Sequence, residues 1–209
     1  MIARELAGVL GEPPAPEGSW EREAVYVSAA ALRRRLPAHM LADQVRAVPG
    51  VAGVEVRGDG LLRITVAVPG ALLESMSVER ADIPEPGWPD FPRTWDNPGF
   101  VVRYGHARAC AVLRWARELG VASEGFRGEL LDDPYDRRVL RALAEIPGRT
   151  VSREPGWETY LVRLALAYHD AHERAPAVPV GDEPPGPVHT ARVRLAEAVR
   201  GVLPGPARI

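Results

Sequence analysis

The residues of this chain whose types and spacing could do chemistry fall mainly on two stretches with helical periodicity. His169 and His172 stand three apart beside Asp170 and Glu173, which on a helix gathers imidazole and carboxylate ligands of the kind a divalent metal takes. A solvated polar face accounts better for the same pattern, and no metal or other cofactor is expected. Cys110 follows His106 by four residues, so a helix would set a thiol beside an imidazole, the pairing that yields a thiolate nucleophile. A small buried thiol with a polar neighbour explains that pair better, and no catalytic residue is assigned. Arg103, Tyr104, His106 and Arg108 crowd one stretch, where they could pack between helices. The run Arg33-Arg34-Arg35 could also meet phosphate, although a solvated helix end is the simpler reading.

Composition limits the alternatives. The chain has 209 residues, and all 26 basic ones are arginine. Without lysine, no Schiff base, lysine nucleophile or phosphate-loop lysine is available. Neither G-x-x-x-x-G-K-[ST] nor a G-x-G-x-x-G following a strand is present. A net charge of −2 excludes a broadly basic nucleic-acid binder, so any such site must be a local cluster of arginines. At 46% hydrophobic and 26% charged residues, the chain reads as globular rather than disordered. Cys110 has no second cysteine to pair with, no apolar run approaches membrane-spanning length, and no basic-then-apolar leader opens the chain. A soluble cytoplasmic protein is expected, with neither membrane nor DNA as partner.

The elements that must position these residues differ between the two halves of the chain. Ile2 to Leu10 has helical spacing and stops at Gly11 before a proline-rich stretch. Ala24 to Leu36 opens on Val25-Tyr26-Val27 and continues as a helix to Pro37, and Leu41 to Val48 predicts another. Val51–Val56 and Leu61–Val68 flank Arg57-Gly58-Asp59-Gly60, a hairpin with Asp-Gly at its turn. Ala71 to Met76 adds a short helix. Residues 79–95 carry Pro84, Pro86, Pro89 and Pro92 between Trp88, Phe91 and Trp95, which predicts an irregular linker pinned to a surface by its rings. Beyond it Asp96 can cap a helix running to Gly120, with Phe100, Tyr104, Ala107, Ala111 and Ala116 along one side. Tyr135–Glu145, Trp157–Ala171 and Val188–Val202 predict further helices. The expected class is α+β: a small N-terminal α/β module with a β-hairpin (1–78), the linker (79–95) and a C-terminal all-α bundle (96–209).

The string Asp96-Asn97-Pro98-Gly99-Phe100-Val101-Val102-Arg103-Tyr104-Gly105-His106-Ala107-Arg108-Ala109-Cys110 resembles the opening of the DALR-type anticodon-binding domain of arginyl-tRNA synthetases. That family has D-N-P, an aromatic, then Q-Y-A-H-A-R with a cysteine shortly after; Arg103 here replaces its Gln and Gly105 its Ala. Leu130-Leu131, Pro134, Arg137-Arg138 and Leu140-Arg141-Ala142-Leu143 resemble a later segment of that domain, as do Tyr160-Leu161, Ala167-Tyr168-His169 and Asp182-Glu183-Pro184. The tail Pro206-Ala207-Arg208-Ile209 is similar to its ending. Tyr26, the segment Leu41 to Val56 and the Gly58-Asp59-Gly60 turn resemble the family's N-terminal tRNA-contacting domain.

The resemblance implies tRNA, tRNA-Arg among the candidates, as a partner. It implies contacts at Arg63, Arg103, Tyr104, His106 and Arg108, with Leu61 and Arg63 standing where the family has an aromatic and an amide. In the family a catalytic nucleotide-binding domain separates the two recognition domains, and here the proline-rich linker stands in its place. The H-I-G-H-type and K-M-S-K-S-type motifs are absent. The expectation is a non-catalytic tRNA-binding protein; the alternative is a protein-interaction or regulatory module that has lost RNA binding. Purified protein given ATP, arginine and tRNA should therefore release no pyrophosphate above a blank, and arginine-dependent exchange would refute this.

Overall fold

The computed structural model describes residues 2–76, 83–84 and 87–205; the Pro206–Ile209 tail and part of the linker lie outside the described residues. The architecture is α+β, with a four-stranded antiparallel sheet in the N-terminal part and helices in the C-terminal part. The N-terminal part runs α1 (Ile2–Leu10), β1 (Ala15–Glu17), β2 (Ala24–Ser28), α2 (Ala30–Arg34), α3 (Ala38–Arg46), β3 (Val51–Val56), β4 (Leu62–Val66) and, after a 3-10 turn, α4 (Leu72–Ser75). The sheet order is β1-β2-β4-β3, with Tyr26 opposite Ile64. Strand alternation puts Leu62, Ile64 and Val66 on the buried face, where they join Leu6, Leu10, Leu41 and Val45 from α1 and α3. The predicted hairpin forms: Gly60 takes φ +83°, and the Asp59 carboxylate accepts from the Leu61 amide at 3.1 Å. Strand β3 is a sheet edge, and Arg46 donates to its Val54 carbonyl at 3.0 Å. That occupies one acceptor through which an edge would recruit another strand.

Two local expectations change. Ala24 to Leu36 is strand first and helix second, because Val25, Tyr26 and Val27 pair on both sides and only Ala30–Arg34 is helical. The proline-rich stretch contributes β1, with Pro16 opposite Tyr26 on an edge strand, where a missing amide is tolerated. Trp20 is buried beneath this edge, donating to the Val25 carbonyl at 2.9 Å and meeting Tyr26 edge-on at 5.1 Å.

The C-terminal part holds α5 (Pro98–Glu118), α6 (Pro134–Leu143), α7 (Ile146–Thr150), α8 (Trp157–Arg174) and α9 (Pro187–Val202). Helix α5 packs against α8 and α9, and α6 against α8. Its buried stripe is Val101, Val102, Gly105, Ala109, Val112 and Ala116, not the Phe100-Tyr104-Ala107-Ala111 side read from the sequence. Gly105 allows the close approach, since a Cβ there would lie 3.2 Å from the Ala165 Cβ on α8. The cap is Asn97 rather than Asp96, its side chain accepting from the Gly99 amide at 2.9 Å.

The two parts share one apolar core. Arginines of α6 reach across: Arg137 to the Arg22 carbonyl at 3.0 Å, Arg141 to the Gly18 carbonyl at 2.8 Å, and Arg138 to the Glu21 carboxylate at 2.7 Å. Backbones also meet without side chains between them, because a Cβ at Gly70 would lie 2.2 Å from the Gly128 carbonyl oxygen. Gly70→Ala should therefore destabilise the protein by about 1–3 kcal/mol, whereas Gly8→Ala, where nothing lies within 4 Å, should be neutral or stabilising. Thermal denaturation of the two variants checks this; equal melting temperatures would contradict it.

Candidate nucleic-acid interface

The start of α5 is built to receive the linker. Pro98 occupies the first helical turn, where its missing amide costs nothing. The buried Asn97 side chain does more than cap: its Nδ2 donates to the carbonyls of Pro89 at 3.1 Å and Pro92 at 2.8 Å. Arg103, one turn on, donates to the Pro89 carbonyl at 2.8 Å and pairs with Asp90 at 3.1 Å. Gly99 leaves the room, because a Cβ there would stand 2.7 Å from the Trp88 Cβ and 3.1 Å from the Pro89 oxygen. Three residues of the Asp96–Cys110 string thus fix the linker on the helix.

Fixing the linker assembles an aromatic cluster. Phe100 and Tyr104, four apart, stack at 5.5 Å, and Trp95 meets both edge-on at 5.8 and 5.5 Å. His169 of α8 lies 4.9 Å from the Trp95 ring. Arg108 closes the cluster: its guanidinium sits 4.7 Å over the Tyr104 ring and donates to the Tyr104 hydroxyl at 2.9 Å. It also lies 3.0 Å from the His169 Nδ1 and pairs with Glu173. Arginine can only donate, so Nδ1 accepts and the His169 proton resides on Nε2. Arg108 holds the Glu173 carboxyl below its ordinary value, chiefly through their hydrogen bond. Burial is the main cause of a lowered His172 pKa, reinforced by Arg108. Trp95 remains 51% exposed and Phe91 66% exposed, with Arg93 over the Phe91 ring at 5.0 Å. Trp88 and Trp95 are pinned as expected, against the core and the α5 rings, whereas Phe91 is exposed and Trp95 is half exposed.

The structure joins Tyr104 and Arg108 in the aromatic cluster, turns Arg103 of the same helix to the linker, and places the other two sequence candidates elsewhere. His106 is half-buried beside Cys110, whose Sγ is 3.7 Å from Nδ1, and faces Gly205 beyond α9. Arg63 lies on β4, bonded to Glu23 and 3.4 Å from the Thr65 hydroxyl. Its hydrogen bond to Glu23, reinforced by the charges of Glu23, Glu55 and Glu17, raises its pKa. Sequence reasoning had treated Trp95 and Phe91 only as anchors; their placement between prolines was the available signal for a surface role. Among the described residues, no group of three or more His, Cys, Asp or Glu side chains is arranged to hold a metal.

Comparison with known proteins gives the surface a context. Over 117 residues, 53% of this chain, the sequence is 42% identical to an arginine–tRNA ligase of Clavibacter sepedonicus. Over that half of the chain the match supports a relationship with the arginyl-tRNA synthetases. The match spans 21% of the ligase, about a fifth of its length. No family model matches the chain, and no solved structure matches it. No helix among the described residues is long and apolar enough to cross a membrane.

Asn97 is the residue on which this arrangement turns. Asn97→Ala removes the cap and leaves the Pro92 carbonyl without its donor, while Pro89 keeps Arg103, so it should cost about 1–2 kcal/mol. It should also change the Trp95 environment, read as a shift in tryptophan emission relative to an Asn97-containing Trp95→Phe control. An unaltered melting temperature and spectrum would contradict the docking role.

Proposed function

We propose that this protein binds tRNA without aminoacylating it, using the surface formed by Trp95, Tyr104, Arg103 and Arg108. The observation that carries the reading is the 42% identity to an arginine–tRNA ligase over about half the chain. The chemistry of the surface supports it. Exposed Trp95 and Phe91 offer faces for base stacking, worth about 1–3 kcal/mol per base. Arg103 and Arg108 supply charge beside those rings, and a nearby phosphate can replace an exposed carboxylate such as Asp90 as partner. Arg63 is a weaker contact, since it is already ion-paired with Glu23. The missing ATP-site motifs and the absence of lysine support a non-catalytic role.

A protein-interaction or regulatory role is the second reading. It is favoured by one feature: Arg63, Arg103 and Arg108 each already face a carboxylate, so none is a bare cation awaiting phosphate. Filter binding of total tRNA at two salt concentrations separates the two. The wild-type protein should retain tRNA at low salt and lose it as salt rises. Trp95→Ala should weaken binding at least about fivefold, the low end of a stacked base's worth. Absence of retention at low salt would overturn the proposal in favour of the interaction module.

A further inference from the structure

A second concentration of cationic groups lies where the Pro13–Ser19 segment meets α6, α7 and α8. Glu145, just past α6, has an 11% exposed side chain and receives Arg141, Arg149 and Arg163 together. One carboxylate offsets one guanidinium, so two positive charges remain without a counter-charge from it. Two cavities of about 400 Å³ adjoin here, and Arg141 and Arg163 line both. Arg149, Ser152 and Glu154 complete the first, and Arg138, Gly18 and Ser19 the second. Even with Glu154 counted, the first cavity holds three arginines against two glutamates.

The hydrogen bonds separate the structural arginines from the available one. Arg141 gives Nε to the Gly18 carbonyl and Nη2 to the Pro16 carbonyl, and its Nη1 is ion-paired with Glu145. Arg149 gives Nε and Nη2 to Glu145 and Nη1 to the Pro155 carbonyl, while its guanidinium lies 4.6 Å over the Tyr160 ring. Arg163 gives only Nη2, to Glu145; its Nε and Nη1 make no hydrogen bond among the described residues, and half its side chain is exposed. Burial and repulsion from Arg163 push Arg141 and Arg149 below the ordinary guanidinium range. Partly dry like charges held together by the fold favour an anion beside them.

We propose that this seam is a phosphate-binding trough that takes consecutive phosphates of an RNA backbone, with Arg163 as the contacting side chain and Arg141 and Arg149 as the fixed charges behind it. It rests on the tRNA-binding reading for the source of the phosphates but not for the chemistry of the site. The trough is independent of the aromatic surface, so it would give one RNA two points of attachment on a single body.

The test uses the whole protein with two probes, inorganic tripolyphosphate by calorimetry and total tRNA by filter binding, both at low salt. Arg163→Gln is the variant. Arg114→Gln on α5, an exposed arginine with no ion pair among the described residues, controls for the loss of one charge. We expect Arg163→Gln to weaken both probes by about three- to tenfold and to flatten the tRNA salt slope by about one unit, with Arg114→Gln near wild type. Tripolyphosphate binding that needs Arg163 while tRNA binding does not would overturn the RNA assignment and leave free polyphosphate as the ligand. Binding of tRNA by wild type with neither probe affected by Arg163→Gln would overturn the trough alone. Failure of wild type to bind either probe would overturn both the trough and the tRNA reading.

Discussion

Because every cation in this protein is an arginine, charge here arrives as a planar fork of up to five donors. The fold depends on that property at the joint between its two parts. Arg137, Arg138 and Arg141 stand on one helix and end on backbone carbonyls or a carboxylate in the segment between β1 and β2. A lysine would offer one ammonium where Arg141 satisfies two carbonyls and a glutamate at once. The glycine-to-glycine contact of Gly70 and Gly128 joins the backbones of the two parts at a second point. The sheet and the helices therefore share a core in which Trp20 and Leu143 belong to one cluster.

The same use of arginine explains why a nearly neutral chain can still carry local positive sites. Arg103 and Arg108 are held by the linker and α8, so the groups that could meet phosphate are oriented before any ligand arrives. Pre-orientation lowers the ordering entropy that a flexible lysine-rich surface would lose on binding. The cost is competition, because each such arginine already has an acidic neighbour that a phosphate must displace or outbid. In the tRNA complex proposed above, salt and that competition would set the affinity, and the exposed rings of Trp95 and Phe91 would add a component that salt does not screen.

Much of the fold was legible in the sequence because its signals were local. The Asp-Gly hairpin, the helices at 2–10 and 157–171, and the proline-rich break before Pro98 each follow from residues within one turn of each other. What could not be read depended on distant partners. Val25 and Val27 form a strand only because β1 and β4 flank them, and β1 itself is three residues of proline-rich chain given order by that pairing. Tyr104 and Arg108 are candidates through the resemblance of the Asp96–Cys110 string, but their company of Trp95 and His169 follows from where the linker turns and where α8 packs. The Arg141-Arg149-Arg163 convergence joins three helices, and no spacing rule links residues 141, 149 and 163.

The central claim is that the linker, once docked on α5, presents a base-stacking surface backed by arginines. Ultraviolet cross-linking of bound tRNA, followed by mapping of the modified peptides, tests it most directly, since stacked aromatic rings are the groups that cross-link to bases. The account predicts adducts on Trp95 or Tyr104 that disappear when Asn97→Ala releases the linker. Adducts confined to the sheet around Arg63, with Trp95 and Tyr104 unmodified, would contradict it.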